Sequence, residues 1–267
     1  MTAAEEPAVE TPTAGRALME AGSPVAGSMS AAAAAVVFEP ATARVQVDER
    51  FAAVLRTVAE DASGLIGRER VRAGAALSFA VEYAATVHRN GRPVRTDRFF
   101  PPRPGSRPVA EELAEAVVAA ARRSTDERRV RHLGYLLAEV TASADIDADL
   151  VTRALRLAEG LTWRQLALLA AVGRRDRLPL PMAPLEDHPQ AWTAWGARED
   201  VADLQRAGLL DPPPAQPRPG GAALPRLRAA DLRLTRRGVL VHRLMVLEVL
   251  RDDAVAAALA DLGLPRS

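Results

Sequence analysis

From Asp48 onward, apolar residues recur along the chain at helical spacing. Phe51, Val54, Leu55 and Val58 fall at i, i+3, i+4 and i+7, which gathers them on one face of a helix that Asp48 can cap. A second helix is predicted over residues 68–88. The turn pair Asn90-Gly91 ends it, and Pro93, Pro101, Pro102, Pro104 and Pro108 keep the next segment extended, because residues before proline avoid the helical region. Helix resumes after Pro108, with Glu111, Glu112 and Glu115 in its first turns, where the macrodipole favours acids. Ser124-Thr125-Asp126-Glu127 reads as a capping box leading into Val130, Leu133, Leu137 and Val140. Thr162-Trp163-Arg164-Gln165 reads as a second box, with Leu161 and Leu166 placed as a hydrophobic staple and Gly173 as the stop. Between the boxes, Leu150, Val151, Ala154, Leu155 and Ala158 form an amphipathic helix capped by Asp147.

Beyond Gly173 the pattern loosens. Residues 174–196 are rich in proline and hold Trp192 and Trp195. A helix is predicted from about Arg198 to Gly208, followed by Leu209-Leu210 and a proline-glycine loop over 212–225. Leu232 and Leu234 alternate with Asp231 and Arg233 like a short strand, and Thr235 then caps a last helical stretch. The fold class expected is mainly α, a bundle of short helices with few strands and no internal repeat.

The first 43 residues behave differently. Five glutamates stand against one arginine among alanine, proline, serine and glycine, too little apolar surface to offset the entropy of ordering. This predicts a disordered leader over 1–43, dispensable for folding, followed by a helical domain over 44–160 and a C-terminal domain over 161–267. Residues 21–38 carry no charge, the lower length limit for a membrane span. Their glycines, proline, serines and alanines give little transfer energy, and Glu5 and Glu6 stand where a signal peptide wants positive charge, so a cytoplasmic chain without membrane contact is expected.

Composition narrows the chemistry. Of 267 residues none is cysteine, which removes disulfides, thiolate nucleophiles and sulfur-ligated zinc. None is lysine, so all 35 basic residues are arginine, and a phosphate-loop lysine, a Schiff base and a serine-lysine dyad are excluded. Codon usage in a GC-rich genome explains arginine without lysine before function does. Basic and acidic counts of 35 and 34 nearly cancel, leaving no global field for nucleic acid or membrane. No G-x-G-x-x-G, G-x-S-x-G or H-E-x-x-H pattern occurs. His88, His132, His188 and His242 stand far apart, against the i, i+3 or i+4 spacing of helical metal sites. Asp145-Ile146-Asp147-Ala148-Asp149 imitates the opening of a calcium loop, but Leu150 replaces its glycine and Arg156 its final glutamate. No catalytic residue, metal or cofactor is expected, and the chain is read as non-enzymatic.

Two features remain as candidate surfaces. Trp192 and Trp195, three apart, can form one aromatic knob; large aromatics are enriched at interface centres, and equally in cores, where the pair would plug the junction between the two domains. Arg226, Arg228, Arg233, Arg236, Arg237, Arg243 and Arg251 face only Asp231 and Glu248 over their stretch, a local basic surface.

Residues 131–138, Arg-His-Leu-Gly-Tyr-Leu-Leu-Ala, and 158–166, Ala-Glu-Gly-Leu-Thr-Trp-Arg-Gln-Leu, resemble segments of uncharacterised bacterial helical proteins, which implies helical fold alone. Residues 161–250, with Asp-Leu-Gln-Arg-Ala-Gly-Leu-Leu at 203–210 and Leu-Arg-Leu-Thr-Arg-Arg-Gly at 232–238, are similar to winged-helix regulators of the multiple-antibiotic-resistance type. That resemblance implies a winged-helix-like C-terminal portion. It places Arg226, Arg228 and Arg233 on a wing, with Arg236 and Arg237 at the start of the last helix, all toward DNA. The sequence departs from the pattern twice. Four prolines occupy 178–190, where the first helix of a helix-turn-helix belongs, and Glu199, Asp200 and Asp203 outnumber Arg198 and Arg206 on the would-be recognition helix. The expected function is therefore protein interaction or self-association, with Trp192 and Trp195 at the interface. A DNA-binding regulator using the five arginines is the alternative.

Overall fold

The computed structural model describes residues 47–102, 104–186, 189–212 and 227–263. The expected leader, the uncharged stretch 21–38, His188 and Arg226 lie outside them. Among the described residues the protein is mainly helical, with nine α-helices and β-pairing confined to two isolated bridges. No described helix is long and apolar enough to cross a membrane. The chain divides into two compact units, Met1–Ala142 and Ser143–Ser267.

The first unit holds α1 (Glu49–Asp61), α2 (Gly67–Arg89), α3 (Val109–Arg123) and α4 (Glu127–Thr141). Asp48 caps α1 by accepting from the N–H groups of Arg50 and Phe51, and Phe51, Val54, Leu55 and Val58 all turn inward. The principal packing is α2 against α4. It is close because α2 presents Ala76 and Ala80 there and α4 presents Gly134. A Cβ at Gly134 would sit 2.4 Å from the Ala76 carbonyl oxygen and 2.8 Å from Phe79 Cβ. Phe79, Leu133, Leu136 and Leu137 fill the core around this contact.

The expected capping box at Ser124 is displaced by two residues. Ser124 instead ends α3 and donates its hydroxyl to the Asp126 carbonyl, and Asp126 caps α4 by accepting from the Arg128 N–H. An aspartate that already faces the first turn outcompetes the serine, because both side chains cannot cap one helix.

The proline-rich segment after α2 is fastened by arginines. The Arg95 N–H donates to the Thr141 carbonyl at 2.8 Å. Its guanidinium, almost wholly buried, forms a fork on Asp97 and lies 4.6 Å from the Phe99 ring centre. Arg92 makes a second fork on the buried Glu139, at 2.6 and 2.7 Å, and Tyr83 donates its hydroxyl to the same carboxylate at 3.3 Å. Burial, and then the neighbouring Glu139 charge, pushes the Tyr83 phenol up to about 12.

The second unit holds α5 (Ala148–Glu159), α6 (Trp163–Gly173), α7 (Trp192–Arg206), α8 (Arg236–Leu244) and α9 (Asp252–Ala260). The expected domain boundary at 160/161 lies beyond α5, whereas the units part at Ala142. The reason is that α5 packs on α8. At the centre is α6, in which Leu166, Ala167, Leu168, Leu169, Ala170 and Ala171 are all buried, the signature of a helix surrounded on every side. Its packing partners are α7, α8, α9 and the short 3-10 turn Leu247–Val249.

The capping box at Thr162 is complete. Its hydroxyl accepts from the Gln165 N–H at 3.2 Å, and the Gln165 side chain accepts from the Thr162 N–H at 2.8 Å. Thr162→Ala is expected to cost about 0.5–2 kcal/mol in a urea melt, by loss of that acceptor at the start of the central helix. A neutral result beside a severe Trp163→Ala would make Trp163 the anchor instead.

The expected strand at Leu232 and Leu234 reduces to one antiparallel bridge between Leu210 and Leu234. The Asp211 N–H donates to the Arg233 carbonyl and the Thr235 N–H to the Leu209 carbonyl. Pairing then stops, because the Thr235 side chain accepts from the Gly238 N–H and opens α8. Nor is α8 the last helix: Val246 adopts a left-handed conformation at φ 50°, and the chain turns through 247–249 into α9.

Candidate functional site

The helix expected from Arg198 begins six residues earlier, at Trp192. The prolines end at Pro189, and no proline after it interrupts the helix, so both tryptophans stand at the start of α7. Ala197, Asp200, Val201 and Leu204 form the buried face. Trp192 and Trp195 project away from it, 83% and 49% exposed, with ring centres 5.8 Å apart and planes at 84°. This edge-to-face contact fixes the two indoles as one unit. A plug in the core would have buried them.

The first turn of α7 is held from beneath by Arg164, which sequence reasoning passed over as part of a capping box. Its Nε donates to the buried Asp200, and its Nη1 lies 3.4 Å from Asp261 just beyond α9. A Cβ at Gly196 would meet the guanidinium at 3.0 Å. The signal was an aspartate on the apolar face of α7, since a buried carboxylate requires a partner.

The basic candidates are less available than their number suggests. Arg228 forms a fork on Asp231 at 2.8 Å. Arg233 donates to the carbonyls of Ala230 and Leu232. Arg236 and Arg237 are exposed in the first turn of α8, and Arg237 approaches Gly208. Arg226 lies outside the described residues. On α7, Arg206 is paired with Glu199 and Asp203. No described helix lies between α6 and α7, so the short helix that precedes a recognition helix is not found there.

Two of the three aspartates of the calcium-like stretch have other employment: Asp145 pairs with Arg243 at 2.6 Å, and Asp147 caps α5. Among the described residues no group of three histidine, aspartate or glutamate side chains is arranged to hold a metal.

His242, on α8, is a buried titratable group. Among the described residues its Nε2 has no hydrogen-bond partner, and it occupies the space a Cβ on Gly173 would need, 2.2 Å away. Burial holds its pKa below the ordinary 6.5, with Glu248 opposing and Arg174 adding to the shift. Below that value the unfolded chain takes up a proton that the folded chain refuses, so stability falls as pH drops through and below 6.5. Thermal melts between about pH 7.5 and 5 should show this slope, and His242→Gln should flatten it. An unchanged slope in the variant would assign it to other groups.

Comparison with protein-family models, with curated proteins and with solved structures gave no match for this chain.

Proposed function

We propose that the protein is a non-enzymatic protein-docking module that engages its partner, another protein or a second copy, through Trp192 and Trp195. The observation that carries this reading is the exposed, edge-to-face indole pair at the start of α7. Two indoles locked together present a large apolar area with few rotors left to freeze, which is the property that makes tryptophan an interface anchor. The paired state of Arg206, Arg228 and Arg233 supports protein contact over DNA, because guanidiniums already satisfied by carboxylates and carbonyls release few phosphate counterions.

Trp192→Ala tests the reading. The variant should keep its melting temperature within a few degrees, since an exposed side chain contributes little to folding. Concentration-dependent association in sedimentation should be weakened or lost. A sharp fall in the melting temperature, or association unchanged, would overturn it.

The second reading is DNA binding, favoured by the exposure of Arg236 and Arg237 at the positive end of α8. It requires duplex binding that weakens with salt and is lost in the double variant Arg236→Ala, Arg237→Ala.

A further inference from the structure

Nothing in the sequence breaks the helix where α8 gives way to α9. From Val239 to Leu262 the chain holds neither glycine nor proline, and α9 starts without a side-chain cap from Arg251. Yet the chain bends at Val246, the one non-glycine residue with positive φ among those described. A β-branched residue rarely adopts that conformation, because its Cβ crowds the following carbonyl. Across the bend the N–H groups of Val246, Val249 and Leu250 reach back three residues instead of four, to the carbonyls of Arg243, Val246 and Leu247. A straight joint would relieve Val246 and restore α-helical spacing. It would also keep the register. At the helical turn per residue, the buried Val241, Leu244, Val255, Ala258 and Leu262 fall within one stripe about 100° wide.

What holds the bend is the seat of α9 on α6. Arg174, just after α6, donates to Asp252 at 2.9 Å, and Arg164 lies 3.4 Å from Asp261. Met245, Leu247 and Leu250, in the joint itself, are buried. We infer that residues 246–251 are a hinge through which two copies of the chain exchange α9. In the exchanged pair α8, the joint and α9 straighten into one helix, and each α9 takes the seat on the other copy's α6. The contacts specify the occupant. A second copy brings the same α9 with the same Asp252 and Asp261, so the contacts of the seat form again between copies. The joint is what differs. Bent, it carries a left-handed valine; straight, the two joints run antiparallel about the two-fold axis, where Met245, Leu247 and Leu250 of each cover those of the other. A short hinge under strain is the setting in which exchange competes with closure. Exchange needs vacated seats, so it is set while the chain refolds at high concentration and persists on dilution.

This inference does not rest on the docking reading, whose association forms between folded chains and reverses on dilution. Refolding from urea at low and high protein concentration, followed by size-exclusion chromatography, tests the hinge. The parent chain should give a dimer whose share grows with the concentration at refolding. Val246→Gly, at ease with positive φ and poor in a helix, should cut that share about fivefold or more. Crosslinking identifies the exchanged element, in a chain with no cysteine of its own. Arg174→Cys and Asp252→Cys chains, unfolded and refolded together and treated with a short thiol-to-thiol crosslinker, should link to each other. The same two chains mixed after folding should not. Should Arg174→Cys fail to fold, Arg164→Cys with Asp261→Cys reads the same seat. Absence of a dimer, a dimer indifferent to Val246→Gly, or no link between the co-refolded chains would overturn the proposal. So would a dimer lost in Trp192→Ala, because it would belong to the indole surface.

Discussion

Gly134→Ala should destabilise the first unit by about 3 kcal/mol or more, at the top of the usual range for overpacking. The added methyl would meet the Ala76 carbonyl oxygen at 2.4 Å and Phe79 Cβ at 2.8 Å. The first of these atoms is backbone, so no rotamer change relieves the clash, and α2 and α4 must move apart along the contact that organises the unit. Since domains commonly have about 5–15 kcal/mol in hand, a urea melt of the variant should show a midpoint far below that of the parent. A loss under about 1 kcal/mol would mean that the two helices slide with little resistance.

Glu139→Gln should be nearly as damaging, at about 3 kcal/mol, the low end for breaking a buried ion pair because Arg92 keeps about a third of its side chain in water. The carboxylate is buried, takes both arms of the Arg92 guanidinium and accepts from Tyr83. Glutamine keeps the shape but can answer one arm at most. A second readout follows from the charge. Part of what holds the Tyr83 phenol up at about 12 is the Glu139 carboxylate, so its ionisation in an ultraviolet titration should move down in the variant. Stability lost with no movement of the tyrosine would assign the cost to packing and not to the pair.

Helix positions were written in the sequence wherever one side chain alone could cap. Asp48, Asp147, Thr162 and Thr235 each begin the helix their spacing predicts. Legibility failed where two candidates competed, as with Ser124 and Asp126, or where proline enrichment was averaged over a window that included the first turn of α7. Periodicity could not warn that Trp192 and Trp195 face away from the core, since their positions become meaningful only once Ala197, Val201 and Leu204 define the buried side. The short strand at Leu232 and Leu234 failed for a different reason. Two alternating residues satisfy the pattern of a strand, but a ladder needs a partner of equal length, and the chain commits Thr235 to capping. Arg164 was unreadable as an anchor because its partners, Asp200 and Asp261, are far away in sequence.

The raised phenols have a consequence for the charge of the whole molecule. With no lysine and no cysteine, the groups that titrate in alkaline solution are an α-amino group, Tyr83, Tyr135 and the arginines. Both tyrosines are pushed above 10, chiefly by burial, and arginine does not deprotonate in proteins. From about pH 8.5 to 10 the folded chain thus has almost nothing left to ionise. Its buffering capacity should vanish there and its electrophoretic mobility should hold a plateau. Above pH 10 the unfolded chain gives up phenolic protons that the folded one retains, so the end of that plateau should coincide with the onset of alkaline unfolding.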